Sequence, residues 1–437
     1  MNKINLYKTE KNLLLASFAL LGFGNYIAGV RFPLEYSTFL IFIVLVLQII
    51  SGTFKFNKFL CFVLLAIAIQ TFLINSTNLT DPRIISHFIG ITLLVLTAFS
   101  FVSYFRDKLF SFVISYYKLV YYISLFSLFQ IVIFLLLDVS IIPQNFITGQ
   151  LQTGSPIFIP QIFEILPRNL GLSTEPANFA FTIIPGVYLA LFQLLKKEKL
   201  VPFPRRYAFI ILISIVLTFS VVSYFGVLIA LFFLLKNKIF KNIKAFVFSI
   251  LLILSFSYLS FTSVKLNDFV NMSTEFSDGN IETRSFTAFA MISNFAVAIE
   301  SQKENHFIGS GLNTHLYNYE KHIYDIFSYS NVELEINKEN GASLFLRILS
   351  EFGIPGLLAL FIFIICFKSK RGATFSKYQI INEMALVTIL LFCTRSGNYA
   401  SISFLLFVAI YYFSYLVIKT QSTKLENRVK LTSNIIK

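Results

Sequence analysis

The sequence predicts an all-α, polytopic integral membrane protein with about twelve transmembrane helices. Hydrophobic residues make up 56% of the 437-residue chain, only 13% of the residues are charged, and the mean hydropathy is +0.74. An ordinary soluble domain contains about 25% charged residues, so this composition excludes a soluble protein, and it excludes a disordered chain as well. We interpret residues 1–437 as a single integral membrane domain.

Transmembrane helices are predicted where apolar runs of about 20 residues occur. These runs lie at 12–30, 33–51, 59–75, 84–105, 114–137, 172–195, 207–220, 221–235, 245–263, 350–367, 379–395 and 399–418. The run 207–235 has basic residues at both ends, which favours two short helices turning near Ser220–Gly226. The alternative, one long tilted helix, would invert every segment that follows.

The charge distribution favours twelve spans with both termini in the cytoplasm. The chain has 36 Lys and Arg residues and 22 Asp and Glu residues. With this topology most basic residues fall on the cytoplasmic side and most acidic residues fall outside, as the positive-inside rule requires. The net charge of +14 therefore marks the cytoplasmic face and its anionic lipids rather than a nucleic-acid partner.

Two predicted outward segments, 139–171 and 264–349, are too long to be simple connections, and loops of this length tend to be functional. The sequence has no P-loop, dinucleotide fingerprint, H-E-x-x-H or G-x-S-x-G motif, so an outward reaction needs an already activated substrate. The cysteines lie in apolar runs without metal-ligand spacing, so we expect packing residues and no metal site. They are Cys61, Cys366 and Cys393.

The first candidate element ends the first long loop. Arg168 is suited to binding phosphate and Glu175 to orienting a sugar hydroxyl. Pro176 directly after Glu175 also fits an ordinary capped helix start. In the second long loop, Arg284 is a cation beside an apolar stretch, suited to a lipid-linked pyrophosphate; the alternative is a solvated loop arginine.

The second candidate element is a glycine turn with a neighbouring histidine. Gly309 and Gly311 permit a tight turn whose N–H groups form an anion nest, and His306 is suited to general-base catalysis. The alternative is a polar loop with a surface histidine. Arg395, in the short turn between the last two spans, either snorkels to the interface or completes a basic cluster with the other two arginines.

Arg347 and Glu351 precede the tenth span and are four residues apart. Residues at this spacing face each other on a helix, so we expect a simple ion pair rather than a catalytic role.

Together and in this order, these elements resemble the O-antigen polymerase (Wzy-type) and O-antigen ligase superfamily over about residues 160–400. The R-x-x-G-x-x-x-E-P-x-x-x-A element appears as Arg168, Gly171, Glu175, Pro176 and Ala180, and the G-x-G element as Gly309 and Gly311. The N-x-x-L-x-x-L-x-E-x-G-x-x-G element appears as Asn340, Leu344 (one place later than usual), Leu349, Glu351, Gly353 and Gly356. The T-x-S element appears as Thr218 and Ser220.

The resemblance implies a GT-C-like, metal-independent glycosyltransferase of a bacterial inner membrane that needs no cofactor. Its donor would be a glycan on undecaprenyl pyrophosphate, transferred to the sugar of a lipid-linked O-antigen or capsule repeat unit. A chain-length regulator and a flippase would be partners. The sequence departs from the arginine-rich loop repeat of the family's polymerases, because Phe295 stands where a glycine should follow Arg284.

From the residue types and their positions, we predict that pyrophosphate is bound by three arginines and the glycine turn: Arg168, Arg284, Arg395, Gly309 and Gly311. We predict that His306 or Glu175 removes the proton from the acceptor hydroxyl.

Two other functions remain alternatives. An O-antigen ligase or oligosaccharyltransferase would share this topology and loop chemistry but would use a different acceptor. A polysaccharide flippase or other transporter predicts internal repeats and broken helices at the membrane midplane, and the sequence shows no repeat.

Overall fold

The fold is taken from a computed structural model. It describes residues 3–19, 26–27, 30–31, 36–56, 58–74, 81–137, 158–159, 163–167, 169, 171–173, 176–196, 201–239, 286–326, 338–339, 341–369 and 376–435. The predicted ninth span at 245–263 and most of the first long loop lie outside these residues.

The described residues form thirteen α-helices and two very short β-hairpins. The helices are α1 (Lys3–Ala19), α2 (Tyr36–Ile50), α3 (Lys58–Ile69), α4 (Pro82–Tyr104), α5 (Leu109–Leu137), α6 (Pro176–Leu195), α7 (Arg205–Val216), α8 (Val221–Ile239), α9 (Phe286–Glu304), α10 (His315–Ile326), α11 (Leu344–Cys366), α12 (Lys377–Arg395) and α13 (Ile402–Ile435). The antiparallel hairpins pair β1 (Tyr26–Ile27) with β2 (Val30–Arg31) and β3 (Phe158–Ile159) with β4 (Phe163–Pro167). The chain is therefore predominantly helical, as predicted, with these two small exceptions.

Five of the described helical segments are long and apolar enough to cross a membrane, which supports a multi-pass membrane protein. They are Pro82–Tyr104, Arg106–Leu137, Pro176–Leu195, Leu344–Cys366 and Ile402–Thr423. The total of twelve spans stays a prediction. The predicted first span, 12–30, is wrong in its bounds, because α1 ends at Ala19 and a strand begins at Tyr26. Gly22 and Gly24 lie between them in the sequence, and glycine is a poor helix former.

Helix starts follow local capping chemistry. Asp81 accepts a hydrogen bond from the Arg83 N–H at 2.7 Å, and Pro82 occupies the first turn of α4. A capping box begins α12, where the Ser376 side chain accepts from the Gln379 N–H and the Gln379 side chain accepts from the Ser376 N–H. These caps fix where two helices of the bundle begin.

The apolar run 207–235 is two helices, α7 and α8, as the flanking basic residues predict. The chain turns at residues 217–220, slightly before the predicted position, and Phe219 has a positive φ of 45°. At the turn, the Asn169 N–H donates to the Leu217 carbonyl at 3.0 Å. At the far end of α8, Lys236 lies 3.5 Å from Glu383 of α12, so α8 returns across the bundle.

A buried amide holds this hairpin against α5. The Asn169 side chain donates to the Ser214 carbonyl at 2.9 Å and to the Ser127 hydroxyl at 3.0 Å. Asn169 is only 1% exposed. In an apolar environment these hydrogen bonds from the Asn169 amide hold together the three segments that they join.

The bundle has two distinct polar ends. At one end, Tyr7 of α1 donates to the Lys108 carbonyl and Tyr378 to the Asp107 carbonyl. Helix α4 ends at Tyr104, beside this end of the bundle, and has 23 residues. Pro82 at its start therefore lies about 35 Å from Tyr104 along the helix axis. We call the end that contains residues 81–87, 309–315 and 395–400 the site end, because these segments meet there.

A break in α11 receives the loop between α9 and α10. Gly353 has φ 65° and ψ −162°, a conformation open essentially only to glycine. Pro355 has no N–H to donate to the carbonyl four residues earlier, that of Glu351. The Gly311 N–H donates to that carbonyl instead, at 2.9 Å.

The other groups freed by the break are also satisfied by the loop. The Ile354 N–H donates to the Phe307 carbonyl at 3.0 Å rather than to its own helix, and the Ser350 carbonyl accepts from the Ser310 N–H at 3.2 Å. These backbone bonds dock the loop 307–311 against α11. The close approach leaves no room for a side chain at either Gly309 or Gly353.

We predict that Gly353→Ala destabilises the protein far more than Gly52→Ala. A Cβ on Gly353 would lie 2.2 Å from the Phe307 carbonyl oxygen, whereas a Cβ on Gly52, also at φ +65°, would meet no atom within 4 Å. Gly52→Ala is the control, because it introduces backbone strain without a steric clash. Backbone strain alone costs about 1–3 kcal/mol. Thermal unfolding of the purified variants in detergent measures the difference, and equal melting temperatures would contradict the docking.

Candidate functional site

The centre of the site end is a buried ion pair on α11. Arg347 Nε lies 2.8 Å from Glu351 Oε1, which confirms the pairing that the four-residue spacing predicts. The side chains are only 4% and 0% exposed, so this is not a surface pair. Removing two charges from water is costly unless their remaining hydrogen-bonding groups are satisfied as well.

The guanidinium of Arg347 has acceptors on two neighbouring segments. It donates to the Gly397 carbonyl at 3.1 Å and to Asn313 Oδ1 at 2.8 Å. Its central carbon lies 4.5 Å from the ring centroid of Tyr399, within cation–π range. The single arginine therefore joins α11, the loop before α10 and the loop between α12 and α13.

The carboxylate of Glu351 is equally engaged. Besides Arg347, it accepts from the Tyr399 hydroxyl at 2.5 Å, from the Asn313 N–H at 2.9 Å and from the His315 N–H at 3.4 Å. We call Arg347, Glu351, Asn313 and Tyr399 the Arg347 network. The charges of Arg347 and Glu351 cancel, so the network is electrically neutral.

His315 begins α10 beside this network and is fully buried. Its Nε2 is 2.7 Å from Asn294 Oδ1 on α9. Burial lowers the pKa of the His315 imidazole to about 4; the nearby Glu351 carboxylate opposes this shift and Arg347 adds to it. The ring is therefore neutral at physiological pH and connects α10 to α9 without adding charge.

An open cavity of about 580 Å³ lies at the site end. Its walls come from the start of α4, the loop before α10 and the loop between α12 and α13. The lining residues are Pro82, Arg83, Ser86, His87, Gly90, Ile91, Leu94, Asn313, Asn398 and Ala400. We call this the site-end cavity. It shares Asn313 with the Arg347 network, and His87 packs edge-on against the Tyr399 ring at 5.5 Å.

The rim of the cavity carries a second ion pair. Arg83 lies 2.9 Å from Asp81, and its guanidinium also donates to the Tyr317 hydroxyl at 2.9 Å. The hydrogen bond from Arg83 lowers the pKa of the Asp81 carboxyl, which therefore stays ionised beside it. Arg83 is thus held between α4 and α10 with its charge balanced.

Three of the predicted site residues, Arg168, Glu175 and Arg284, lie outside the described residues. Their neighbours give one constraint, because Asn169 is buried between α5 and α7. Arg168 therefore directly precedes, in the sequence, a residue that is held in place by hydrogen bonds to α5 and α7. The roles predicted for the three residues stay predictions.

The remaining predicted residues lie at the site end but do not line the cavity. His306 is exposed, with φ 49°, on the loop that follows α9. Gly309 and Gly311 are docked against α11, and the Gly311 N–H donates to the Glu351 carbonyl, so it is already used. Arg395 is the last residue of α12 and is half-buried.

The sequence analysis missed the residues that line the site-end cavity. Ser86, Asn313 and Asn398 are single polar residues from distant parts of the chain and match no local pattern. His87 had a signal, because an ionisable residue within an apolar span is by default a candidate for function. Among the described residues, no group of three or more His, Cys, Asp or Glu side chains could hold a metal ion.

Residues 182–361 match the protein-family model described as O-antigen ligase (Wzy_C). The matched segment includes Arg347, Glu351 and the docked loop 307–311, and it spans less than half of the chain. No curated protein and no solved structure gives a significant match. The family match confirms the resemblance to the O-antigen polymerase and ligase superfamily, and it supports a function of the O-antigen ligase or polymerase type.

We predict that Arg347→Met lowers stability by about 3–5 kcal/mol, because it leaves the Glu351 carboxylate buried without a counter-charge. The double variant Arg347→Met with Glu351→Leu should regain much of the loss, since it removes both charges. The melting temperature of each purified variant in detergent measures the effect. If the double variant were less stable than the single one, the pair would not be the compensated unit described here.

Proposed function

We propose that this protein is a bacterial surface-polysaccharide polymerase of the inner membrane. It transfers a glycan from undecaprenyl pyrophosphate to the sugar of a lipid-linked repeat unit on the outer face of the inner membrane. The observation that carries the proposal is the O-antigen ligase family match over residues 182–361, which contains both Arg347 and Glu351. An activated lipid-linked donor also suits a sequence without nucleotide-binding motifs.

In this mechanism the acceptor hydroxyl oxygen attacks the anomeric carbon of the donor sugar. The bond from that carbon to the pyrophosphate oxygen breaks, and undecaprenyl pyrophosphate leaves with the electron pair. Arg168, Arg284 and Arg395 bind the pyrophosphate and stabilise the charge that develops on it. His306 or Glu175 removes the proton from the attacking hydroxyl.

The docked loop leads us to separate the roles of the arginines and the glycines. An anion nest needs free N–H groups, and the Gly311 N–H is donated to the Glu351 carbonyl. We therefore propose that the arginines bind the pyrophosphate, while Gly309 and Gly311 allow the loop to approach α11. His306 precedes the loop 307–311 in the sequence and Asn313 follows it, so docking of the loop against α11 would position both residues.

We predict that deleting the gene collapses the surface-polysaccharide ladder to a single repeat unit on its acceptor. Plasmid-borne wild type should restore the ladder. Arg168→Ala and Arg284→Ala should lower polymer yield about 100-fold or more, the scale of losing one transition-state charge contact. Lys303→Ala, which removes an exposed lysine paired with Glu300, is the matched control and should restore the ladder fully.

Other results of the deletion would contradict the polymerase function and identify one of the two alternative functions. Loss of all surface-attached glycan, with polymer accumulating on its lipid carrier, would identify a ligase. Untransported repeat units on the cytoplasmic side would identify a transporter. A normal ladder from all arginine variants, and from His306→Gln with Glu175→Gln, would refute the assigned residues.

A further inference from the structure

We propose that the site-end cavity is a sugar-binding subsite that recognises neutral glycan hydroxyls and not the pyrophosphate. The inference rests on the proposed function, because it assigns the sugar and the pyrophosphate of that reaction's substrates to two separate binding sites.

The polar groups that line the cavity match the chemistry of a sugar hydroxyl. Asn313 and Asn398 offer amide N–H donors, since their side-chain oxygens already accept from Arg347 and from the Ala400 N–H. Ser86 offers a hydroxyl, and His87 offers an imidazole. A sugar hydroxyl both donates and accepts, so it can pair with each of these groups. A volume of about 580 Å³ is within the usual range for small-ligand pockets.

One of these groups lacks a partner. His87 Nε2 is buried and has no hydrogen-bond partner among the described residues. An unsatisfied buried nitrogen costs free energy, which a ligand hydroxyl would recover once the imidazole turns Nε2 toward the cavity. The Tyr399 ring packs edge-on against the His87 imidazole at the cavity wall.

The charge balance argues against an anion. Among the described lining residues, Arg83 is the only one with a permanent charge, and Asp81 neutralises it at 2.9 Å. Arg347, which donates to the lining residue Asn313, is neutralised by Glu351 at 2.8 Å. Sites for pyrophosphate rely on cations in excess, and these two arginines are already matched by carboxylates.

Arg83 therefore acts as a fixed hydrogen-bond donor rather than as a counter-ion. Asp81 and the Tyr317 hydroxyl both hold its guanidinium at the rim. Preorganised donors of this kind favour a hydroxyl-rich ligand, because little side-chain freedom is lost on binding. The cavity thus has a charge-balanced rim, and its walls combine polar side chains with apolar ones such as Ile91 and Leu94.

Gly90 gives a direct way to fill the cavity. A Cβ at this position meets no atom within 4 Å, so a larger side chain extends into open space, and leucine is a better helix former than glycine. Gly90→Leu is therefore expected to fold. Ile89→Phe, on the exposed apolar surface of the same helix, is the matched control for added bulk.

The test is titration calorimetry on the purified full-length protein in lipid nanodiscs. The probes are inorganic pyrophosphate and the neutral oligosaccharides that mild acid releases from the lipid-linked pool of the parent cells. Gly90→Leu should weaken oligosaccharide binding about tenfold or more and leave pyrophosphate binding unchanged, while Ile89→Phe leaves both unchanged. Arg168→Ala should weaken pyrophosphate binding alone.

Borohydride reduction of the oligosaccharides distinguishes the two sources of sugar. Reduction opens only the reducing-terminal ring, which is the donor's reacting sugar. Unchanged binding would assign the cavity to the acceptor's non-reducing end, and lost binding would assign it to the donor sugar; either supports the subsite.

The proposal is overturned if oligosaccharides do not bind wild type, if Gly90→Leu binds them normally, or if Gly90→Leu weakens pyrophosphate binding. These binding results do not depend on polymer length. The proposed polymerase function is tested separately, by the surface-polysaccharide ladder of the deletion strain.

Discussion

A buried arginine has to find a complete set of acceptors inside the protein, and Arg347 finds them on three separate segments. Its partners are the Glu351 carboxylate, the Asn313 side chain and the Gly397 carbonyl. Because an unpaired charge in this environment would cost several kcal/mol, each segment is held where its acceptor is needed. The arrangement of the site end follows from satisfying this one side chain.

The break in α11 extends the same constraint to the loop after α9. Gly353 and Pro355 interrupt the helix directly after Glu351, and the freed backbone groups bond to the loop 307–311. The loop then delivers Asn313 to the Arg347 network and to the cavity wall. Helix packing, backbone hydrogen bonding and ligand chemistry thus meet within a few residues of Glu351. The lining of the cavity is left without excess charge, because Arg83 is paired with Asp81.

Features encoded by local patterns were predictable from the sequence. Basic residues on both sides of one apolar run predicted the α7–α8 hairpin, and a four-residue spacing predicted the Arg347–Glu351 pair. The turn itself was placed slightly too late because Gly226 suggested a turn. In the structure Gly226 lies within α8, where a Cβ would come 2.5 Å from Ile184 Cδ1, so this glycine serves helix packing.

Features that depend on tertiary contacts were not predictable. The spacing of Arg347 and Glu351 gives no information about what covers them, so their burial was missed. Gly309 and Gly311 suggested an anion nest, but the use of the Gly311 N–H is decided by Pro355, more than 40 residues later. The cavity joins Arg83, Asn313 and Asn398, which share no sequence pattern. Among the residues that line the cavity, only His87 is an ionisable residue within a predicted span, the run 84–105.

The proposed reaction requires the site end to face the outer side of the membrane, where lipid-linked donors replace nucleotide sugars. Single cysteines at Lys321 and Lys377, in a chain whose Cys61, Cys366 and Cys393 are replaced by alanine, test this directly. Lys321 is an exposed residue of α10 at the site end, and Lys377 begins α12 at the opposite end. A membrane-impermeant maleimide should label Lys321→Cys in intact spheroplasts and Lys377→Cys only after permeabilisation. The reverse pattern would place the cavity in the cytoplasm and contradict the proposed reaction.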